Sequence, residues 1–204
     1  LSKNFKSRKN NIYLLRNWVQ GPDSVQFKNR EDRVISVGRL EYQKNFSYML
    51  SEFQNTNYKL VIYGNGTKKN VLLRDSIKNK VNLELVDSIK NDDLIKVLNK
   101  SKYFILPSHF EGNPKSLLEA MSAGCIVLAS NIENHKEIIE DGVDGFLFDL
   151  DEGSLFNKFE NIKTFKEENL SDISLAATLK IKNHYSIEKI ATEEKDLVLG
   201  LLNG

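Results

Sequence analysis

Two carboxylates, Glu111 and Glu119, stand eight positions apart and frame the run Gly112-Asn113-Pro114-Lys115-Ser116-Leu117. The apolar segment Tyr103 to Leu106 precedes them and a second one, Cys125 to Ala129, follows. Both are short enough for buried strands, so the local plan is strand, tight loop, helix, strand. Asn113 suits an N-cap and Pro114 the first helical position, where its missing N–H costs nothing. A helix starting there leaves the amides of Lys115, Ser116 and Leu117 without intrahelical acceptors. Gly112 lacks a Cβ and lets backbone or ligand come close. The chemistry on offer is anion binding by backbone N–H groups, with a carboxylate on either side to accept hydrogen bonds from hydroxyls. The plainer account is that Leu117, Leu118 and Met121 are core, while Glu119 is a surface partner of Lys115 four residues before it.

These residues must be held by a larger scaffold, and the chain supplies one by alternating strand and helix signals. Val34 to Val37 reads as a strand ending at Gly38, and Asn45 to Phe53 as an amphipathic helix. Lys59 to Tyr63 is the next strand, ending at Gly64, and Thr67 to Asn79 a helix. Val81 to Leu85 is a strand, Asp92 to Ser101 a helix, and Gly145 to Phe148 a closing strand. Residues 151–181 read as helical, as does His184 to Asn203. Ile12 to Leu15 could add a short strand, and Trp18 is read as packing. Such alternation implies right-handed βαβ units: an α/β fold, a single Rossmann-like domain with a mostly parallel sheet and helices on both faces. Ligands of these sheets bind beyond the carboxyl ends of the strands. Gly38-Arg39, Gly64, the loop after Leu85 and Glu111-Gly112 all fall on that rim.

The segment from Glu111 to Ser130 resembles the signature of retaining, nucleotide-sugar-dependent glycosyltransferases of the GT-B fold, the large family four group. That signature is Glu, seven residues, Glu, then Ala-Met-Ala-x-Gly, matched here by Glu111, Glu119 and Ala120-Met121-Ser122-Ala123-Gly124. Val37-Gly38-Arg39-Leu40 with Lys44-Asn45 resembles the family's GRL segment with its Lys, and Tyr63-Gly64-Asn65-Gly66 its strand-end G-x-G. Glu137-Ile138-Ile139 and Asp141 to Phe148 resemble the element that closes the donor half. The resemblance runs from about residue 33 to the C-terminus. Asn113-Pro114 replace the aromatic-Gly pair of many members, a departure that bears on which sugar fits.

The resemblance implies a nucleotide-diphosphate sugar as substrate, with Arg39 and Lys44 on its diphosphate. Fixed cations there stabilise charge that grows as the glycosidic bond breaks. It places Glu119 on the ribose hydroxyls and Glu111 on the donor sugar. The amides near Asn113, Pro114, Lys115, Ser116 and Leu117 meet sugar and phosphate, Gly38, Gly64 and Gly112 line the site, and the loop Val86 to Lys90 holds the base. It implies a linker over residues 1–30, the donor-binding domain over 31–183, and a helix over 184–204 that crosses onto an absent N-terminal domain carrying the glycan or lipid-linked acceptor. No cofactor or metal is expected. Asp149-Leu150-Asp151 is nominally a D-x-D but begins a helix away from the rim, and His109, His135 and His184 lack ligand spacing.

Other classes fit less well. For a dinucleotide-binding oxidoreductase, the third glycine of G-x-G-x-x-G falls at Lys69. A nucleotide-sugar epimerase or phosphorylase shares the architecture and stays open. The chain has 204 residues, 40% hydrophobic and 28% charged, enough for one sizeable core. A net charge of +1 argues against nucleic acid as partner. The single cysteine, Cys125, cannot form an internal disulfide and suits a reducing, cytoplasmic setting. No apolar run reaches the ~20 residues of a membrane span, and nothing resembles a signal peptide. Lys3, Lys6, Arg8 and Lys9 could touch anionic headgroups at the inner face of a membrane or simply be a solvated linker. A chain that starts with Leu reads as a fragment, inactive alone.

Overall fold

The computed structural model describes residues 17–22 and 25–202. Six strands form one all-parallel sheet in the order β3-β2-β1-β4-β5-β6. The strands are β1 (Glu31–Val37), β2 (Lys59–Tyr63), β3 (Asn82–Val86), β4 (Ser101–Leu106), β5 (Ile126–Ser130) and β6 (Phe146–Phe148). The helices are α1 (Phe46–Glu52), α2 (Lys69–Lys78), α3 (Asn91–Lys100), α4 (Lys115–Ser122), α5 (Glu133–Lys136), α6 (Ser154–Lys163), α7 (Glu167–His184) and α8 (Ile187–Leu202). A parallel sheet covered on both faces has apolar strands throughout, and β5 is buried at every position. Two cores result. One holds Leu50, Phe53, Leu60, Tyr103 and Phe159, and the other Ile35, Phe104, Leu118, Met121 and Val127.

Successive strands step outward from β1 on one side and from β4 on the other, so the strand order reverses between β1 and β4. Crossover helices on either side of that reversal leave a crevice at the carboxyl ends of β1 and β4. The strand ends are drawn close there. The amide of Gly38 donates to the Tyr63 carbonyl and that of Gly64 to the Val86 carbonyl. A Cβ on Gly64 would sit 1.9 Å from the Gly38 carbonyl oxygen, so only glycine fits that contact.

Several boundaries differ from the sequence reading, each for a local reason. Ser101 opens β4 instead of closing α3, because its hydroxyl accepts from Arg33 and donates to the Val97 carbonyl across the junction. The segment before α1 is a 3-10 turn at Tyr42–Lys44, separated from the helix by Asn45 in the left-handed region (φ 51°). Residues 151–181 are two helices, because the chain turns at Thr164 to Lys166, where Phe165 packs on Phe146. The carboxylate of Glu52 accepts from the amides of Gly153 and Phe156, capping α6 from α1. α5 is short and carries no periodic pattern to announce it. Trp18, read as packing, is 43% exposed, with the Lys115 ammonium over its ring. Residues Ile12 to Leu15 and the basic residues Lys3 to Lys9 lie outside the described residues.

The base of α4 is closed by Arg30. Its guanidinium donates to the carbonyls of Leu98, Ser101 and Ala123 and to Asn99, while its Nε donates to Gln26. Gly124 follows at φ 75°, and the amides of Gly124 and Cys125 donate back to Met121 and Ala120, a Schellman ending. Cys125 is buried here, and burial pushes its thiol up to about 12, well outside a reactive range. Val19 bridges to Ser186, and Phe27 packs in the core, so residues 17–22 and 25–30 run along the domain. No helix among the described residues is long and apolar enough to cross a membrane.

Candidate functional site

The crevice between β1 and β4 collects most of the candidate residues. From the end of β1 come Gly38 and the exposed Arg39, and from the 3-10 turn Gln43 and Lys44. From the end of β4 come Ser108, His109, Phe110 and Glu111. The His109 amide donates to the Gln43 carbonyl and fastens one loop to the other. Lys44 Nζ lies 2.6 Å from Glu111 Oε1, with side chains 12% and 5% exposed. Ser108 Oγ donates to the same oxygen at 2.6 Å, and Gln43 Nε2 reaches Oε2 at 3.3 Å. Charge-assisted contacts this short hold an ionised carboxylate in one orientation. Arg39 is looser, its Nη2 3.4 Å from Gln43 Oε1.

The loop from Glu111 to Pro114 then leads into α4. The helix begins one residue later than expected, with Pro114 (ψ 76°) in the cap position and no side chain capping it. Asn113 is therefore not the N-cap. Its carbonyl accepts from the Lys115 amide and, at 3.4 Å, from Asn17 Nδ2, while the Pro114 carbonyl accepts from Leu117. Of the three amides expected to be free, only that of Ser116 lacks an acceptor among the described residues. A tight turn onto Asn113 has used the Lys115 amide, and a 3-10 contact with the cap carbonyl has used that of Leu117. Gly112 is open, with no atom within 4 Å of where its Cβ would stand, and its carbonyl is held by Asn134 of α5.

Glu119 is neither a surface residue nor fully paired. It is 5% exposed, and Lys115 Nζ approaches only to 3.8 Å. Burial raises its carboxyl above the usual range, with the Lys115 ammonium pulling it partly back. A desolvated carboxylate with spare acceptor capacity is suited to a ligand's hydroxyl groups. On the β2 side of the crevice, Val37, Arg39, Tyr63, Gly64, Ser88 and Ile89 line a cavity of about 240 Å³. Its apolar walls suit a flat ring, next to the loop expected to hold a base.

Asp149 and Asp151 take other partners: the Asp149 carboxylate accepts from Asn131, and both backbone carbonyls accept from the Tyr48 hydroxyl. No cluster of three or more metal-ligating side chains occurs among the described residues. Sequence reading missed Ser108, Gln43 and Asn134. Ser108 had a local signal in its i, i+3 spacing to Glu111, whereas Gln43 and Asn134 act across 67 and 22 residues of sequence.

The chain is similar to known proteins in sequence and in fold. The family model for glycosyl transferases group 1 matches residues 22–168. The chain is 30% identical over 177 residues to the Escherichia coli UDP-Gal:alpha-D-GlcNAc-diphosphoundecaprenol alpha-1,3-galactosyltransferase, covering 81% of this chain and 45% of that protein. It is 32% identical over 123 residues to the Staphylococcus aureus capsular polysaccharide biosynthesis glycosyltransferase CapH, covering 55% of this chain and 34% of that one. The chain thus spans half or less of the length of these relatives. In fold it resembles a mutant of S. aureus TarM solved with fondaparinux, alpha-GlcNAc-glycerol and UDP, with a TM-score of 0.76 and 21% identity over 92% of this chain and 39% of that one. It also resembles the pneumococcal O-GlcNAc transferase GtfA with UDP and GlcNAc, at a TM-score of 0.72 and 15% identity over 93% and 39%. With the family model covering well over half of its residues, this chain belongs to the group 1 glycosyl transferases.

Proposed function

We propose that this chain is the donor-binding, C-terminal half of a GT-B enzyme that transfers a sugar, with retention, from a nucleoside diphosphate sugar to a glycan or lipid-linked acceptor. The observation that carries the reading is the meeting of Lys44, Arg39 and Glu111 at the crevice where strand order reverses, beside an apolar cavity of base size. In this reading the base lies in the cavity against Tyr63 and Ile89, and Glu119 accepts from the ribose hydroxyls. Arg39, Lys44 and the Ser116 amide face the diphosphate. Cations preset there favour the departing diphosphate over the bound ester, which lowers the barrier without a metal ion. Glu111 faces the sugar. UDP is the proposed nucleotide, as in the names of the relatives cited above.

The acceptor is placed on an N-terminal domain, against which residues 184–204 would pack. Val198 and Leu199 of α8 are exposed in keeping with that. A lipid-linked acceptor would bring the enzyme to the cytoplasmic face of a membrane.

Calorimetric titration with UDP, GDP, ADP and NAD tests the reading. One nucleoside diphosphate should bind, and Arg39→Ala and Glu119→Ala should each weaken it about ten-fold or more, the worth of one charge-assisted contact. Preference for NAD would overturn the reading in favour of an oxidoreductase. With the N-terminal half restored, transfer that depends on acceptor separates a transferase from an epimerase or a phosphorylase.

A further inference from the structure

Beneath Glu111 runs a buried polar chain that donor binding as described does not use. Ser108, Ser130 and His135 are all fully buried. Ser108 Oγ donates to Glu111 Oε1 at 2.6 Å, and Ser130 Oγ donates to the Ser108 carbonyl at 2.6 Å. His135 Nδ1 lies 2.8 Å from the Ser130 carbonyl. A carbonyl only accepts, so this contact assigns the proton to Nδ1 and leaves Nε2 with its lone pair. Nε2 is buried and has no partner among the described residues, so the ring takes its orientation from Nδ1. Burial also lowers the basicity of His135, so the ring stays neutral beside the Lys44–Glu111 pair.

The two oxygens of Glu111 are not equivalent. Oε1 receives both short donors, Lys44 and Ser108, whereas among the described residues Oε2 has only Gln43 at 3.3 Å and keeps acceptor capacity. Resting on the assignment of Glu111 to the donor sugar, we infer that Ser108, braced by Ser130 and His135, is a positioning residue that aims Oε2 at a sugar hydroxyl. Lys44 cannot do this alone, because a diphosphate at the rim competes for its ammonium. The Ser108 hydroxyl donates to Glu111 whether or not Lys44 turns away, and its backbone is pinned between the ends of β4 and β5. Without it, the carboxylate can rotate and follow Lys44.

The test compares binding of UDP with binding of a UDP-sugar, taking from UDP-galactose, UDP-glucose and UDP-GlcNAc the one the unmodified chain binds most tightly. Ser108→Ala should weaken the UDP-sugar roughly ten-fold and leave UDP within about two-fold, the expected loss of one hydrogen bond to a charged group. Ser108→Thr, which keeps the hydroxyl, should restore the UDP-sugar. Equal weakening of both ligands, or of neither, overturns the positioning role. Glu111→Gln is run in parallel. If it splits the two ligands while Ser108→Ala does not, the chain beneath Glu111 is wrong and the assignment of Glu111 stands. If Glu111→Gln does not split them, the assignment fails and the positioning role falls with it.

Discussion

Arg30, partly buried at the floor of the sheet, and Glu111 with Glu119, buried toward the rim, are three charges held away from water to different degrees, and they are satisfied in opposite ways. Arg30 gives its donors to backbone carbonyls at the ends of α3 and α4, to Asn99 and to the chain before β1. Nothing of it is left over for a ligand. Glu111 holds one oxygen tight and the other loosely, and among the described residues Glu119 has a single lysine, 3.8 Å away. A buried charge whose hydrogen bonds are complete is a fastener. One that is left incomplete beside a crevice costs stability and makes sense only if something else completes it.

The largest effect should come from the fastener. Arg30→Ala strips several carbonyls of their donor and should lower unfolding free energy by about 3 kcal/mol in urea titration, with unchanged nucleotide affinity for the molecules that remain folded. A fall in affinity without a fall in stability would break the comparison. Next, Lys44→Ala should cut nucleoside diphosphate affinity about ten-fold or more, read by calorimetry. It also leaves Glu111 buried without its cation and so lowers stability as well. That variant mixes the two classes, which is the expected mark of a residue serving both.

Glu119→Gln sharpens the distinction by moving stability and binding apart. The folded-state pKa of Glu119 is raised, so the folded chain holds this proton more tightly than the unfolded one. That stability is present below the ordinary glutamate value of about 4.3 and is lost as pH climbs through the raised value. The glutamine variant should therefore match the parent in melting temperature near pH 4, exceed it at pH 7, and bind nucleotide more weakly. A variant that melts lower than the parent at pH 7 would place Glu119 among the fasteners. The smallest effect belongs to Lys115→Ala. Its side chain is half exposed and its contact long, so stability should shift by no more than about 0.5 kcal/mol in the same melts.

The sequence carried the fold well where strands are continuous apolar runs, and β2 has the bounds its pattern announced. α4 was legible through its apolar face, yet its first turn was misjudged. Asn113 and Pro114 obey the usual cap preferences, but a tight turn onto Asn113 moves the start by one residue and uses the Lys115 amide, and a 3-10 contact at the cap uses that of Leu117. Glu111, Glu119, Arg39 and Lys44 could be chosen from motifs because each has a local signature. What each one touches could not. The partner Gln43 and the Ser130 beneath Ser108, like the cap that Glu52 places on α6, are set by which strand ends meet, a property of the folded sheet.

The β1–β4 seam has a kinetic corollary. Pairing within β1-β2-β3 and within β4-β5-β6 joins stretches near in sequence, while the seam joins Val34 to Tyr103 and Ile35 to Phe104. Long-range pairings of this kind close slowly, because loop entropy is lost before contacts compensate for it. Gly38 and Lys44 arrive with one half and Ser108 and Glu111 with the other. Nucleotide affinity should therefore be absent from any partly folded species with an open seam, and its recovery during refolding should time the closure of the sheet's centre.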